Sequence, residues 1–374
     1  MKTVDGRLFS EYKAEKQEDV TMKKLALILA LVLLIGMLAG CSNSAAPNTD
    51  NSPASSPSTS ADTEKLKIAL VLPGSMNDGG WNAAAYAGLM ELQAQGYTVA
   101  FTESVAIADI EQTLRNYANE GYDLVIGHGF EFGEPAMRVA PEFENVKFFV
   151  SGKMPDGVTV DSLPANIGFM DMKEYEGAFL AGIVAGGMTE SKMIGYIAGL
   201  EIPSQLSDMA GFVQGVAYVN PDAKVYGVVT GTYEDPAKGK ESALALIDMG
   251  CDIIAQSADS TGVGAIEACL EKNIKMIGYG GDQNEMAPDL IMTCFVTDNK
   301  NVIIRQAALI ENNQFGGLWE PGLADGVCYI TDYHSFEDKI PQEIKDMVTD
   351  AKDKICSGEL VVEYILDRID EKIG

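Results

Sequence analysis

The stretch from Lys67 to Asn82 reads KIALVLPGSMNDGGWN, and it indicates the fold class. Its first six residues form an apolar run with the length of a buried strand. A loop of glycine and small polar residues follows, and Asn82–Gln95 then has the pattern of an amphipathic helix. A buried strand, a glycine-rich turn and a helix are the opening of a βαβ unit, which builds parallel sheets covered by helices on both faces.

The same alternation runs along the chain and restarts once, at a helix that begins near residue 174. In the first series we predict strands at Lys67–Leu72, Val99–Phe101, Leu124–Ile126 and Lys147–Val150, with helices at Asn82–Gln95 and Ile107–Asn119. In the second we predict strands at Met193–Ile197, Lys224–Val229, Asp252–Ala255 and Lys275–Tyr279, with helices at Glu174–Gly187, Ser207–Val219, Ala237–Met249 and Val263–Glu271. Two series predict two doubly wound α/β lobes, whose ligands bind at the carboxyl ends of the strands.

An apolar run near the N-terminus predicts export. Lys23 and Lys24 precede the run Leu25–Ile35, and small residues then lead to Cys41, an order that resembles a bacterial lipoprotein signal peptide with its lipobox. The run is shorter than the ~20 residues of a spanning helix, so cleavage before a lipidated Cys41 is favoured over the alternative of a short membrane anchor. We therefore expect a lipid-anchored protein on the extracytoplasmic face of the cell membrane, or in the periplasm or at the outer membrane of a two-membrane bacterium.

Composition divides the chain further. Residues 1–21 are mixed and charged, so we place the translation start at Met22 and the signal peptide at 22–41. Residues 42–64 are almost entirely Ser, Ala, Pro, Asn, Thr and Asp, a composition typical of a flexible tether. About 310 residues remain, which is enough for two domains.

Charge and cysteine spacing exclude several kinds of partner. The formal net charge of −28 leaves no basic surface for nucleic acid, so we expect no nucleic-acid partner. The five cysteines after Cys41 lack CxxC or Cys/His spacing, so a metal site is not expected. We predict that all five are buried thiols: Cys251, Cys269, Cys294, Cys328 and Cys356.

Motifs for catalysis are scarce. The chain has two histidines, His128 and His334, and it lacks GxSxG, GxxxxGK[ST] and HExxH. Gly127-His128-Gly129 follows a predicted strand, but Gly133 is misplaced for a dinucleotide fingerprint, so a tight strand-to-helix turn is the better interpretation. In a chain this acidic, most carboxylates are expected on the solvated surface. We expect no enzyme activity and no cofactor.

Two aromatic loops follow predicted strands and are candidates for ligand binding. In the first loop Trp81 stands beside Asp78 and Asn82, and a flat apolar face next to hydrogen-bonding groups suits a planar polar heterocycle. The alternative is that Trp81 only packs at the start of the helix. The second loop, 231–236, carries Tyr233 and would meet the first across a cleft.

These loops and several further motifs resemble the basic membrane protein family of lipoproteins, the substrate-binding components of ABC importers for purine nucleosides and related compounds. The resemblance covers nearly all of Lys67 to about Val362. Its motifs are Asn77–Asn82, Glu176–Gly182, Gly195–Gly199, Asp235–Glu241, Ser260–Gly264 and Asp282–Gln283 before Ala287–Pro288. The resemblance implies a type I periplasmic binding protein-like fold, in which two Rossmann-like lobes joined by a hinge close on a ligand.

The resemblance also implies the extent of the lobes and the residues of the site. Lobe 1 would take residues 65–167 and about 297–325, and lobe 2 residues 168–296 and about 326–374. The family stacks its purine between two aromatics, which correspond here to Trp81 and Tyr233. The remaining candidate ligand-binding residues are Asn77, Asp78, Asn82, Gly129, Phe130, Gly262, Gly280 and Asp282.

Three polar groups that the family uses for nucleosides are missing from this chain. Leu72-Pro73 stand where the family places an aspartate, Gly280 stands at the position of the ribose aspartate, and Thr297 stands near that of the ribose lysine. A buried ribose hydroxyl without a partner loses on the order of 1–3 kcal/mol. A free nucleobase, or another small planar ligand, is therefore favoured over a nucleoside.

The sequence thus predicts a monomeric, lipid-anchored solute-binding protein that captures a purine-like small molecule and delivers it to an ABC permease. The alternative is a sensing lipoprotein that uses the same ligand-gated closure to signal to a membrane receptor. Genes for a permease and an ATPase beside this gene would favour import, and a sensor-kinase gene would favour signalling. An extracytoplasmic enzyme would need a nucleophile and base that these motifs do not supply.

Overall fold

The computed structural model describes residues 65–367, and these residues form two sheets flanked by helices. The predicted upstream extension at 1–21, the signal peptide with Cys41, the tether at 42–64 and the last residues assigned to lobe 2 lie outside the described residues. Within 65–367, the helices are all too short or too polar to cross a membrane.

Each sheet has six strands, and the two sheets repeat one topology. The first contains β1 (Lys67–Val71), β2 (Thr98–Thr102), β3 (Leu124–Gly127), β4 (Lys147–Val150), β5 (Ile167–Met170) and β11 (Gly317–Trp319). The second contains β6 (Met193–Ala198), β7 (Lys224–Val229), β8 (Ile253–Ser257), β9 (Lys275–Tyr279), β10 (Ile291–Thr297) and β12 (Cys328–Ile330). Their orders are β2-β1-β3-β4-β5-β11 and β7-β6-β8-β9-β10-β12. All neighbours pair in parallel except β10 and β12.

Helices cover both sheets, as parallel strands require. The described residues contain α1 (Trp81–Ala94), α2 (Ile110–Asn119), α3 (Gly133–Val139), α4 (Glu174–Met188), α5 (Pro203–Val219), α6 (Pro236–Asp248), α7 (Asp259–Lys272), α8 (Asn299–Glu311) and α9 (Gln342–Ser357). Although α8 follows β10 of the second sheet, it packs on α1, whereas α9 packs on α4. We call the first sheet with its helices lobe 1 and the second sheet with its helices lobe 2. The predicted fold class is confirmed.

Element boundaries differ from the sequence prediction in a few places. The predicted helix Ile107–Asn119 is a 3₁₀ turn at Ile107–Asp109 followed by α2. The helix predicted to begin at Ser207 begins at Pro203, because proline is well tolerated in the first helical turn. The prediction of five buried thiols is wrong at Cys356, which lies exposed near the end of α9, while the other four are buried.

The chain passes between the lobes three times, and the crossing segments are hydrogen-bonded to one another. The crossings lie at residues 171–173, 298 and 320–327. The Asp171 N–H donates to the Trp319 carbonyl at 2.9 Å, and the Asp298 N–H donates to the Val327 carbonyl at 2.7 Å. A few adjacent linking residues of this kind are the usual form of a hinge. The predicted lobe boundaries at 167 and 297 stay a prediction.

Glycines let helices α4 and α5 cross at very close range in lobe 2. A Cβ at Gly182 would overlap the Phe212 carbonyl of α5, and Gly215 of α5 faces the backbone of α4 in the same way. Only glycine permits so close an approach of two backbones. The crossing places Glu174, the first residue of α4, within hydrogen-bonding reach of Asp208 in α5.

Gly182→Ala is expected to destabilise the protein, because the new methyl group must push α4 and α5 apart at a cost of about 1–3 kcal/mol. Gly177→Ala in the same helix is the matched control, since a Cβ there has its nearest neighbour at 3.6 Å. Alanine at that position gains up to about 1 kcal/mol of helix propensity. Urea unfolding measures both variants. Equal urea unfolding midpoints for Gly182→Ala and Gly177→Ala would contradict the close approach of α4 and α5.

Candidate functional site

Loops at the carboxyl ends of strands from both lobes lie beside one another where the two lobes meet. We call this region between the lobes the cleft. Gly80, just before α1 in lobe 1, lies beside Asp259 at the start of α7 and beside the Tyr279 carbonyl at the end of β9. Gly280 follows β9, and a Cβ there would lie 3.2 Å from the Gly80 Cα. Doubly wound sheets bind their ligands at this edge, so the cleft is the candidate site.

Asp78 organises the loop that leads into α1. Its carboxylate is 3% exposed and accepts hydrogen bonds from the N–H groups of Gly80 at 2.9 Å, Asn82 at 2.8 Å and Ala83 at 3.0 Å. It also accepts from the Asn82 Nδ2 at 2.8 Å. Negative charge is stabilised at a helix N-terminus, so Asp78 fixes this loop. The Asn82 Oδ1 is left buried without a partner among the described residues.

Trp81, the first residue of α1, stacks on His128, which follows β3. The ring centroids lie 4.5 Å apart with an angle of 19° between the planes. Burial lowers the pKa of His128 to about 4, so the imidazole is neutral. Its Nε2–H donates to the Trp81 carbonyl at 3.1 Å, and its Nδ1 accepts from the Ser151 hydroxyl at 2.5 Å. Trp81 therefore has a packing role, and only the opposite indole face can stack on a ligand.

Tyr233 reaches the cleft from the loop after β7 and stands among carboxylates. Its ring packs against Gly199, where a Cβ would overlap it. Burial raises the pKa of its hydroxyl well above the usual range, and four carboxylates of both lobes raise it further. We call these four residues the acidic cluster: Glu131 of lobe 1, and Glu174, Asp208 and Asp259 of lobe 2.

Glu174 and Asp208 form a buried pair within this cluster. Asp208 is fully buried and Glu174 is 6% exposed. Burial raises the pKa of Glu174 to about 7, and burial together with the charge of Glu174 raises that of Asp208 well above its usual value. Among the described residues, neither Asp208 oxygen has a hydrogen-bond partner. These two acids are exceptions to the expectation that most carboxylates lie on the solvated surface, because composition cannot show that two helices bring two acids together.

Three of the predicted ligand-binding residues lie at the surface. Asp282 pairs with the His334 Nε2 at 2.8 Å. Phe130 is 50% exposed, and Asn77 is exposed in the loop before α1. A role for these three side chains in ligand binding stays a prediction.

Two of the predicted glycines serve packing inside their own lobes. A Cβ at Gly129, whose φ is +140°, would overlap the carboxylate of Glu131. A Cβ at Gly262 would overlap the side-chain amide of Gln256. The expected approach of these two backbones to a ligand stays a prediction. Gly129 leaves room for the carboxylate of Glu131.

The structure also describes Gly280 and Thr297, the two positions that correspond by resemblance to the ribose-holding groups of the family. Gly280 has a φ of +78° and lies against the Gly80 backbone, so a residue with a side chain would be strained there. Thr297 is 2% exposed and accepts a hydrogen bond from the Asn299 Nδ2 at 3.1 Å. Neither position can take an aspartate or a lysine without rearrangement.

The sequence and the fold match known proteins. The model of a family described as "ABC transporter substrate-binding protein PnrA-like" matches residues 65–365. A purine-binding protein of Brucella abortus (strain 2308) is 29% identical over 306 residues, which cover 79% of this chain and 83% of the relative. Basic membrane protein A1 of Borrelia garinii subsp. bavariensis is 27% identical over 311 residues, 82% of this chain and 90% of the relative. The solved structure of an ABC transporter system solute-binding protein from Conexibacter woesei is 27% identical, with a TM-score of 0.68 over 80% of this chain and 99% of that chain.

This chain belongs to the PnrA-like family of ABC transporter substrate-binding proteins, because the family model covers most of its length. The predicted membership of the basic membrane protein family and the predicted type I periplasmic binding protein-like fold are confirmed. The family's proteins bind a small-molecule substrate outside the cytoplasm and present it to a permease.

Glu174→Gln is expected to remove a pH dependence of stability. The folded state holds a proton on Glu174 that the unfolded state releases, because the pKa rises from 4.5 to about 7 on folding. This contribution is complete below about pH 4.5 and is lost as the pH rises through about 7, an effect on the order of 1–3 kcal/mol. Urea unfolding at about pH 5 and about pH 8 measures it. Glu285→Gln, which changes an exposed carboxylate, should show the same pH dependence of the free energy of unfolding as wild type. If Glu174→Gln also keeps the wild-type pH dependence, the raised pKa of Glu174 is contradicted.

Proposed function

We propose that the protein is a lipid-anchored solute-binding protein that captures a purine-like small molecule in the cleft and delivers it to an ABC permease. The observation that carries this proposal is the place of Trp81 at the lobe contact, with one indole face stacked on His128. A planar ring would stack on the other face. Tyr233 lies on the lobe 2 side. The relative from Brucella abortus is named a purine-binding protein, which supports the ligand class.

A free nucleobase is the favoured form of this ligand. A ribose in the cleft would need polar partners near Gly280 and Thr297, and Gly280 has no side chain to offer. The Thr297 hydroxyl is buried and already accepts a hydrogen bond from Asn299. Unpaired ribose hydroxyls would cost affinity, whereas a base without ribose avoids that cost.

Binding needs no covalent step, because closure of the lobes holds the ligand. Asp259 of lobe 2 accepts a hydrogen bond from the Trp81 N–H of lobe 1. The residue that would stack on the ligand therefore also makes a closing contact. Bending of the linked crossing segments would open the cleft, and the closed form would be the one that a permease recognises.

Attachment to the membrane rests on the N-terminal sequence. Cys41 would carry the lipid, and residues 42–64 would tether a monomeric binding domain on the extracytoplasmic face. A flexible tether lets the domain reach a permease without leaving the membrane surface.

Cys41→Ser is expected to release the protein into the soluble fraction or leave it unprocessed, because the acyl chains supply the membrane affinity. Fractionation of cells followed by immunoblotting measures this. Cys356→Ser, which changes an exposed cysteine far from the N-terminus, should stay on the membrane. Retention of a processed Cys41→Ser protein would refute the lipid anchor.

Trp81→Ala is expected to weaken binding of a nucleobase by about tenfold to a hundredfold, because stacking on an aromatic ring contributes roughly 1–3 kcal/mol per base. Trp81→Phe, which keeps an aromatic face, should lose less. Isothermal titration of wild type and both variants with adenine and adenosine, and with hypoxanthine and inosine, measures the effect and the preference. Wild type should bind each base at least as tightly as its nucleoside. Tight nucleoside binding without measurable base binding would overturn the preference.

A further inference from the structure

The first turn of α1 has an N–H group whose acceptor comes from the other lobe. The Asp78 carboxylate accepts from three backbone N–H groups in this part of lobe 1, and the N–H of Trp81 is not one of these three. The Trp81 N–H donates instead to the carboxyl group of Asp259 in lobe 2. The first N–H groups of a helix have no partner within the helix, so each needs an acceptor from elsewhere. Closure of the lobes supplies that acceptor for Trp81.

Asp259 makes this contact from an unfavourable backbone conformation. It is the first residue of α7 and has a φ of +46°, in the left-handed region that residues with a Cβ rarely adopt. Its Oδ1 is buried without a hydrogen-bond partner among the described residues, and it lies 3.4 Å from the position of a Cβ on Gly80. A strained backbone and an unpartnered buried oxygen both cost stability. Because Asp259 bears these costs at the contact with lobe 1, a role in that contact accounts for them.

Two neighbouring loops of lobe 2 approach the same loop of lobe 1, so Asp259 belongs to a direct contact between the lobes. Glu234, in the loop after β7, has its Oε1 3.1 Å from the position of a Cβ on Gly74. Gly280, after β9, lies against Gly80, with 3.2 Å between its Cβ position and the Gly80 Cα. Contacts between protein groups stabilise the closed arrangement for any ligand. Their strength therefore contributes to the balance between the open and closed forms.

We propose that Asp259 is a latch between the lobes, which accepts the Trp81 N–H in the closed form, releases it in the open form and thereby sets the population of the closed form. This inference rests on the proposed function, since it names the residue that controls closure of the same cleft. The apparent dissociation constant of a ligand that needs the closed form is its intrinsic constant divided by the fraction of protein in that form. Asp259 is thus a positioning residue, and it acts on the ligand through closure.

Isothermal titration of Asp259→Ala tests whether Asp259 acts through closure. The closed fraction enters every apparent dissociation constant alike, so adenine and hypoxanthine should each bind about fivefold more weakly or worse, by factors that agree within about twofold. A residue that touches the ligand would distinguish the amino group of adenine from the carbonyl group of hypoxanthine. Unequal losses, or unchanged affinities for both bases, overturn the inference.

Two further variants at this position separate the hydrogen bond from the backbone strain. Asp259→Gly removes the acceptor and relieves the positive φ, so it should weaken binding as Asp259→Ala does, while its urea unfolding midpoint is no lower than that of wild type. Asp259→Asn keeps an acceptor oxygen and should bind each base within about twofold of wild type. Asn273→Gly is the matched control, because Asn273 is exposed at the other end of α7 with a φ of +54°.

These variants give clear alternatives. Asn273→Gly should leave both affinities unchanged, since it relieves a positive φ away from the lobe contact. A lower unfolding midpoint in Asp259→Gly means that Asp259 is structural only, and this overturns the inference. Binding by Asp259→Asn that is as weak as binding by Asp259→Ala also overturns it, because an acceptor oxygen alone should preserve the latch.

Hydrogen exchange of the protein without ligand separates this inference from the proposed function. Mass spectrometry of a peptide spanning residues 76–86 should show exchange about threefold faster or more in Asp259→Ala than in wild type, since opening exposes the Trp81 N–H to water. Asn273→Gly should match wild type. Equal exchange in Asp259→Ala and wild type overturns the latch, whatever the titrations show. If exchange is faster but wild type binds neither adenine nor hypoxanthine, nor their nucleosides, the latch stands and the purine ligand class is wrong.

Discussion

Negative charge held away from water between two lobes is the constraint on which the rest of this structure depends. Burial raises the pKa of Glu174, Asp208 and Asp259, so burial favours the protonated, neutral form of each of these acids. Asp259 accepts the Trp81 N–H at the start of α1, where the helix dipole favours negative charge. The N-terminal end of α1 in lobe 1 therefore faces the Asp259 carboxylate of lobe 2. The polarity of this contact restricts which chemical groups can lie beside it.

Glycines, more than polar residues, determine how closely α4 approaches α5 and how closely the turn after β9 approaches Gly80. The crossing of α4 over α5 at Gly182 brings Glu174 within reach of Asp208, and a larger residue at the crossing would separate them. Gly280, with its φ of +78°, lets the turn after β9 lie against Gly80. A Cβ at Gly280 would lie 3.2 Å from the Gly80 Cα, so this turn depends on glycine at both the close approach and the positive φ.

Much of the fold could be predicted from the sequence, because buried parallel strands are short apolar runs that alternate with helical patterns. The strands Lys147–Val150, Lys224–Val229 and Lys275–Tyr279 have the bounds that the sequence indicates. The three-residue strands β11 and β12 are too short to carry a pattern. The acidic cluster was missed because an acidic chain gives no reason to single out one carboxylate, although Asp208 stands in an otherwise buried stretch of α5. Which acids meet depends on the helix crossing, and that is a tertiary property.

Asp259 connects uptake of a proton to closure of the lobes. In the closed contact, burial and the nearby charge of Asp78 raise its pKa, so closure without a ligand favours uptake of a proton. Opening returns water to the carboxylate and removes that shift.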